Sequence, residues 1–567
     1  MSDPLIDDPA ARIVGPRTAI TRVNCPELFS RVKAWLDKCH LSHGECDKGQ
    51  LGTEKAELFP TYLLNIGLNE AQVYLERVES SSNTAYAALS YCWGKMQSRV
   101  TTVANLESHM AGIPSRNLPR TIRDAVTVGR MLGISFLWVD SLCIIQDSQA
   151  AMQEELGRMG SIYHNAHLVI SAASARTCED GFLWDRPRPS EYIRMPFGDD
   201  GCVYFVPRLS KYLSGRLGHD PIDKRAWTFQ ESYLARRLLV FSAHEVSWAC
   251  MTDGGDDRGR NSGFWAVIHH GDSCRSLQTI SIPEPRDWGF VIIPYCRRVV
   301  SDEADKLPAL SSVAEFFSYH LKCDYLAGIF IDSAPQLLTW YTLTRERSEA
   351  KRPDKWRAPS WSFLSVDGAI GLACLNGSTR NGPPYTSEFW NCGWGIKDYK
   401  VTPLSLHLPF GQITDAQMHV GGRLIPVAVG AAIDDITRPV YQLELRGDPS
   451  ENQWRPRYES GGLRIVLDSM ASQSEPNQQP FMATCYGSLL LTAELWWFLM
   501  WHGEESTNGI KPWESGFEYR DVVWGLALAR LDEGRYHRVG YIICECERDD
   551  ELVPKLNDMP CENFTFV

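Results

Sequence analysis

Little in this chain points to a membrane or a nucleic acid. Its longest apolar run, Leu489 to Trp501, is interrupted by Thr492 and Glu494. It falls short of the roughly 20 apolar residues a spanning helix needs and reads as a buried segment. The opening stretch, MSDPLIDDPAARIVG, is acidic and has no apolar h-region, so it does not read as a signal peptide. Lysine and arginine number 57 against 70 aspartates and glutamates, a formal net charge of −13. That balance argues against a general nucleic-acid binder, which needs a basic face, while leaving room for a local basic patch. No Walker loop, no GxGxxG after a strand, no GxSxG and no HExxH occurs, so the common nucleotide and hydrolase signatures are missing. There is no internal repeat and no low-complexity tract of consequence. The 17 cysteines show no framework spacing. They are expected to be reduced thiols, mostly packed as small hydrophobes, in a cytoplasmic protein that is not secreted.

What is present suits large folded cores. A length of 567 residues suggests two to four domains. Hydrophobic residues make up 44% and charged ones 22%, an ordinary balance for a globular chain. The 19 tryptophans are many, and are expected in sheet cores with their ring nitrogens in need of partners.

The stretch from Ile134 to Ala175 organises the rest. Phe136 to Val139 is a short apolar run of β-formers that ends at the polar pair Asp140-Ser141. Beyond Asp147, residues Met152, Leu156, Met159 and Tyr163 fall on one helical face, and Leu168 to Ile170 is again a short apolar run. Strand, helix, strand of this length predicts a βαβ unit with parallel strands and a right-handed crossover. Ligands in such sheets bind past the carboxyl ends of the strands, which makes Asp140, Ser141 and Cys143 candidates.

Neighbouring segments extend the pattern. AYAALSYCWG (85–94) reads as a strand ending in small and polar residues. Leu118 to Gly133 reads as a helix with Ile122, Ala125, Val126 and Leu132 inward and Gly133 at its C-terminal cap. Residues 84 to 175 thus predict a small α/β sheet. Before it, Pro26 to Lys38 has helical spacing, and Leu58 to Val78 suggests two strands with a turn at Gly67 to Glu70. After it, strands are expected near Tyr204-Phe205-Val206, within Leu234 to Phe241 and at Val246 to Cys250, with a Gly/Asp-rich break at 252–262. Asp305 to Tyr341 looks helical. From Trp356 onward the chain reads as short strands and turns, a barrel or sandwich. The division expected is 1–83, an extension with helix and strands; 84–250, the α/β domain; 251–355, a linker and helical region; and 356–567, a β-rich module.

Cys39-x3-His43-x2-Cys46 brings sulfur and imidazole together and could supply three zinc ligands, with Cys25 as a possible fourth. The plainer alternative is a helix end with a polar turn and half-buried thiols, since no second ligand pair at standard spacing follows.

Three blocks together, AYAALSYCWG (85–94), Leu118 to Ala175 and RAWTFQESYLARRLLVFSAHEVSWAC (225–250), resemble the fungal heterokaryon-incompatibility (HET) domain in order, spacing and wording. WLDKC with its following His and Cys, WRAPSWSFLSVDG, and the strand Gly534 to Gly540 look like flanks common in that family. The resemblance makes 84–250 a HET domain. It implies a fungal protein of self/non-self recognition whose HET domain triggers growth arrest or cell death, working with a protein partner or through self-association. It further implies a remote likeness to TIR domains, hence a small, mostly parallel TIR/flavodoxin-like sheet. Some TIR domains cleave NAD with a helix glutamate, so NAD is the candidate substrate; the residues identify no certain cofactor. Ala88-Leu89-Ser90-Tyr91 would stand at the end of the first TIR strand and Glu155 at the catalytic position. Where the family usually has Asp-Trp before this helix, the chain has Ala151-Met152.

Each candidate carries two readings. Glu155 is a catalytic carboxylate meeting ribose hydroxyls or an oxocarbenium-like charge, or a helix glutamate paired with Arg158; Glu154 takes its place if the helical phase differs. Asp140 binds a ligand hydroxyl or caps the following loop. Ser90, Tyr91, Trp93 and Ser141 line the same strand ends, with Trp93 packing and Gly94 turning the chain. Arg225, Trp227, Gln230 and Glu231 form a structural clasp onto the sheet, or Arg225 binds phosphate. Cys143, among Leu142, Ile144 and Ile145, reads as a buried thiol. His164 and His167 read as surface or packed residues.

Overall fold

The computed structural model describes residues 20–48, 58–67, 71–78, 84–95, 97–186, 193–197, 201–205, 220–243, 245–256, 283–285, 287–343, 351–372, 393–435, 438–445, 464–467, 495–506, 519–532, 534–547 and 559–567. The chain divides into two compact units, Met1–Pro283 with Ala309–His320, and Glu284–Pro308 with Leu321–Val567.

The first unit is built on a mixed sheet. Its strands are β1 (Tyr62–Asn65), β2 (Gln72–Arg77), β3 (Ala87–Ser90), β4 (Ile113–Pro114), β5 (Phe136–Trp138), β6 (Leu168–Ser171), β9 (Arg237–Phe241), β10 (Val246–Cys250) and β11 (Gly254–Asp256), while β7 (Ile193–Phe197) and β8 (Gly201–Phe205) form a separate hairpin. The order across the nine-stranded sheet is β11-β10-β9-β6-β3-β5-β1-β2-β4. The expected parallel strands are there: β3 pairs in parallel with both β5 and β6, and β6 with β9. The expected βαβ strands β5 and β6 are therefore separated by β3. The sheet as a whole is not mostly parallel, because the N-terminal hairpin β1–β2 joins antiparallel to β5 and the hairpin β9–β10 continues antiparallel into β11. Strands joined by a short turn can pair only antiparallel, so each hairpin adds antiparallel neighbours, and the strands of 58–78, expected in an extension before the α/β domain, belong to its sheet.

All four residues of β3 and of β6 are buried, as a central strand covered on both faces requires. Helix α1 (Pro26–Ser42) leads into the single turn α2 (Gly44–Lys48). They are followed by α3 (Leu106–Ala111), α4 (Arg120–Met131), the one-turn α5 (Asp140–Cys143), α6 (Gln149–Asn165) and α7 (Thr228–Tyr233). Helix α4 buries Thr121, Ile122, Ala125, Val126, Val128 and Gly129. It stops at Gly133, whose φ of +77° is costly for any residue with a Cβ. Helix α6 starts at Ser148, whose Oγ accepts from the Ala151 amide at 3.4 Å. On its expected inward face Met159 and Tyr163 are buried, while Met152 and Leu156 are half-buried against the same core. Trp138 of β5 is fully buried and meets the Tyr163 ring edge-on at 5.4 Å.

Gly94 turns the chain after β3 with φ +81°, and a Cβ there would lie 2.8 Å from Thr177 Cγ2. Gly94→Ala is expected to destabilise this unit by about 1–3 kcal/mol through strain and crowding together. A urea unfolding midpoint equal to that of the parent would disprove it.

The second unit is β-rich, as expected. Two short pairs come first, β12 (Tyr325–Leu326) with β13 (Ile329–Phe330), and β14 (Trp340–Thr342) with β15 (Ile370–Leu372). The helix expected over 305–341 is thus shorter than the sequence suggested. It spans Pro308–Leu321, of which Ala309–His320 belongs to the first unit, and ends at Lys322, which takes a left-handed φ of 52°. The β-formers Tyr325, Ile329 and Phe330 then pair as strands around Gly328, φ +115°. The segment 358–368, within the region expected to hold short strands and turns, is a turn with a 3-10 helix at Phe363–Ser365.

The large sheet holds β16 (Gly395–Pro403), β17 (Ile413–Gly422), β18 (Leu424–Asp435), β19 (Arg438–Leu445), β20 (Arg464–Leu467), β21 (Leu495–Ser506), β22 (Tyr519–Asp532), β23 (Arg535–Glu547) and β24 (Glu562–Phe566). Strand β23 pairs with β20 on one edge and with β22 on the other. The path β23-β20-β19-β18-β21-β22 therefore closes on itself, which removes exposed edges as a barrel does. The apolar run 489–501 enters β21 at Leu495, and its first residues lie outside the described ones. Of the break expected at 252–262, residues 257–262 likewise lie outside them. Among the described residues, no helix is long and apolar enough to cross a membrane.

Candidate functional site

The parallel strands carry their candidate residues to one end of the sheet. Ser90 closes β3 and pairs across from Ser171, which closes β6. Tyr91 and Trp93 follow β3 directly. Asp140 and Ser141 follow β5, where Val139 stops the strand and α5 begins. From the other side, the chain at Arg225 leads into α7, which brings Glu231. Five of these side chains are joined by hydrogen bonds. Tyr91 OH donates to Ser141 Oγ at 2.9 Å, Trp93 Nε1 donates to Asp140 Oδ2 at 2.8 Å, and the Ser141 amide donates to Asp140 Oδ1 at 2.7 Å. Arg225 Nη1 donates to the Tyr91 carbonyl at 2.7 Å, and Gln97 Nε2 donates to Tyr91 OH. The expected set Ser90, Tyr91, Trp93, Asp140, Ser141 and Arg225 thus gathers past the carboxyl ends of β3 and β5, where crevices form in open parallel sheets.

The electrostatics there centre on two carboxyls. Burial pushes Asp140 up, while the Arg225 charge, the Ser141 amide and the Trp93 ring N–H pull it back. Burial pushes Glu231 up to about 7. Ser90 opposes that rise, the negative charge of Asp140 adds to it, and Arg225 and Tyr163 counter it. Ser90 and Glu231 are close enough to influence each other. Yet Ser90 Oγ and Glu231 Oε2 close no hydrogen bond of ordinary geometry among the described residues, nor do Gln97 Oε1 and Gln230 Oε1. A buried polar atom left so costs about 1–3 kcal/mol, and such a cluster beside a raised carboxyl is the pattern of a ligand or proton-handling site. Asp140 acts both as a turn-former through the Ser141 amide and as a charge facing this cluster.

Glu155 is held by a different set of partners. It is 3% exposed on α6, and its Oε1 accepts from the Thr61 amide at 3.0 Å and from the Thr61 hydroxyl. Arg158 Nη1 lies 3.5 Å from the same oxygen. Burial pushes its carboxyl up, against the Thr61 hydrogen bonds and the Arg158 charge. Its Oε2 has no hydrogen-bond partner among the described residues. Glu154 is exposed and paired with Arg158 Nη2. Cys143 is buried, its sulfur accepting from the Val139 amide at 3.4 Å, and burial pushes the thiol up. His164 Nδ1 meets the Leu234 carbonyl at 3.0 Å. The His167 ring stacks on His40 with centroids 4.8 Å apart, and burial pushes it down to about 4.

Cys39, His43 and Cys46 do converge, and Cys250 at the end of β10 joins them: one ligand atom from each lies within 4.8 Å of all the others. Cys25, the fourth ligand considered from spacing, is not in this group. Two residues were thus underweighted in the sequence, Glu231 and Cys250. In TFQESY the residues Thr228 to Glu231 are all buried, so no polar face marks Glu231 as special. Cys250 stands 207 residues from His43 in the chain, beyond any spacing rule.

A family model described as heterokaryon incompatibility protein (HET) matches residues 86–231. No curated protein and no solved structure matches the chain. The matched segment begins at β3 and ends at Glu231, so it contains every residue of the strand-end cluster and leaves all four members of the thiol–imidazole group outside.

Proposed function

With residues 86–231 forming a HET domain as the premise, we propose that this chain is an effector of fungal self/non-self recognition, acting through the strand-end cluster of that domain to arrest growth. The domain supports a role related to heterokaryon incompatibility in general. The observation that carries the finer reading is the convergence of Ser90, Asp140, Arg225 and Glu231, with Ser90 Oγ and Glu231 Oε2 buried and closing no hydrogen bond of ordinary geometry among the described residues. Protein chemistry of this kind suits a small ligand with hydroxyl groups, Ser90 and Asp140 taking the hydroxyls and Arg225 an anionic portion. Induced expression of the full chain in a filamentous fungus is expected to arrest growth. Ser90→Ala with Asp140→Asn is expected to abolish the arrest at equal protein level. Full arrest by the double variant would sink the proposal.

A second reading is favoured by one observation: Glu155 is a buried, raised carboxyl whose Oε2 has no partner among the described residues, on the helix after the parallel strand β5. It makes the domain a TIR-like NAD glycohydrolase with Glu155 stabilising the ribosyl cation. Incubated with NAD, the parent protein would then release nicotinamide, and Glu155→Ala would lower the rate by about 100-fold or more. No release by the parent, or equal release by both, removes this reading and leaves the first intact.

A further inference from the structure

We propose that Cys39, His43, Cys46 and Cys250 bind one zinc ion, which clasps the N-terminal helices of the first unit to β10. The ligands arrive by two routes. Cys39 is in the last turn of α1. The His43 amide donates to the Cys39 carbonyl at 3.0 Å and the Cys46 amide to the His43 carbonyl at 3.0 Å, so the chain keeps turning through α2. Steps of four and three residues along that path put the three side chains on one side. Cys250 comes from the far end of the sheet.

The geometry fits zinc. Bonds of about 2.3 Å to sulfur in a tetrahedron give sulfur–sulfur edges of about 3.8 Å, with slightly shorter sulfur–nitrogen edges. The ligand atoms lie within 4.8 Å of one another, and Cys250 Sγ to His43 Nδ1 is 3.4 Å. The three cysteines are fully buried. Four protein ligands close the coordination sphere, the pattern of a structural rather than a catalytic zinc.

The surroundings fit thiolates. Arg237 Nε donates to Cys39 Sγ at 3.2 Å, the Asp253 amide donates to Cys250 Sγ at 3.3 Å, and Thr252 Oγ1 lies 3.6 Å from Cys46 Sγ. Cys39 and Cys250 thus each have a donor, and the Thr252 hydroxyl can donate to Cys46 once that thiol is a thiolate, the kind of contact that orients and stabilises a metal-bound sulfur. Three thiolates and a divalent ion leave one negative charge, and the Arg237 guanidinium, 2% exposed, stands beside it. Three protons leave the thiols for solvent as the ion binds. A disulfide is the competing product. It would use two of the three sulfurs and give the imidazole nothing to hold. Two ion pairs brace the same junction, Lys38 with Asp253 and Arg237 with Asp47.

Elemental analysis of the full-length chain, purified under reducing conditions without chelator, is expected to find one zinc per chain. Cys25→Ser keeps it; Cys250→Ser and His43→Ala lose it. Should those variants fail to fold, the parent chain still decides. Titration with an organomercurial is expected to release zinc in step with thiol modification, and cobalt exchange is expected to give tetrahedral visible bands with thiolate charge transfer. A parent chain without stoichiometric zinc that takes up no cobalt overturns the proposal. So does zinc retained in both Cys250→Ser and His43→Ala, or a disulfide among Cys39, Cys46 and Cys250 in the metal-free chain.

Discussion

Glu231→Gln is expected to make the first unit more stable at alkaline pH and no more stable at acid pH. The Glu231 carboxyl is pushed up to about 7 in the folded chain from an ordinary 4.5. Between those values the unfolded chain has released this proton and the folded chain still holds it. The unfolded state then binds fewer protons, so stability falls as pH rises through the window from about 4.5 to about 7. Below the window both states are protonated and the group contributes no penalty. Above it the full cost, on the order of 3 kcal/mol, is in place. Glutamine is neutral throughout, so the slope disappears with it. The gain near pH 8 is set at about 1–3 kcal/mol, because a buried amide brings polar atoms of its own that need partners. Urea unfolding of parent and variant at both ends of the window measures it. A difference that is the same at both ends would show that Glu231 titrates normally. The same variant is expected to lose growth arrest. A group whose removal stabilises the fold and abolishes activity is held there for function, since strained or desolvated site residues reduce stability.

The second large effect belongs to the β-rich unit. Arg538 of β23 is fully buried. Its guanidinium lies 3.7 Å from the centre of the Trp340 ring, Nη1 donates to the Leu338 carbonyl at 2.6 Å, and Nη2 donates to the Trp340 carbonyl. Its own amide donates to Ser360 Oγ at 3.0 Å. Arg538→Met keeps much of the volume but strips donors from two buried carbonyls and the cation from the ring. The expected loss is about 3–5 kcal/mol, combining charged hydrogen bonds with a desolvated cation–π contact. Arg538→Lys keeps the charge and is expected to recover only part of it, because an ammonium cannot both stack and reach two carbonyls in a planar fork. Tryptophan fluorescence during urea unfolding reports the transition directly, since Trp340 and Trp361 are both fully buried in this unit. A loss below about 1 kcal/mol would mean that the carbonyls find other donors.

Arg538 also ties together two stretches distant in the chain. WRAPSWSFLSVDG and the strand Gly534 to Gly540 meet at Ser360 and Arg538. Within the first stretch, Arg357 Nη2 pairs with Asp367 at 2.9 Å and its Nε donates to the Leu364 carbonyl at 2.8 Å. Satisfied buried polar contacts of this kind rigidify the packing around them. The expectation that buried ring nitrogens find partners holds for some tryptophans and fails for others: Trp340 Nε1 donates to the Trp361 carbonyl at 2.9 Å and Trp288 Nε1 to the Gly328 carbonyl at 2.7 Å, whereas Trp138 Nε1 and Trp496 Nε1 have no partner among the described residues.

Local pattern was enough for much of the first unit. The apolar runs of β3, β5 and β6, the amphipathic α4 with its Gly133 stop, and the polar strand ends at Ser90 and Asp140 were all readable, because each depends on neighbours within a few residues. The HET wording was readable for the same reason, as three contiguous blocks. What only the tertiary structure decided depends on partners far apart in the chain. The hairpin β1–β2 completes the sheet antiparallel because its edge meets β5, a pairing no periodicity encodes. Glu155 is drawn to Thr61, ahead of β1, whereas Glu231 enters the strand-end cluster from a short helix buried on nearly every side. Cys250 meets Cys39, His43 and Cys46 only after the sheet has brought β10 beside α1. Sequence spacing fixes contacts along one helix or strand; burial, charge coupling and ligand geometry across the sheet are fixed by packing.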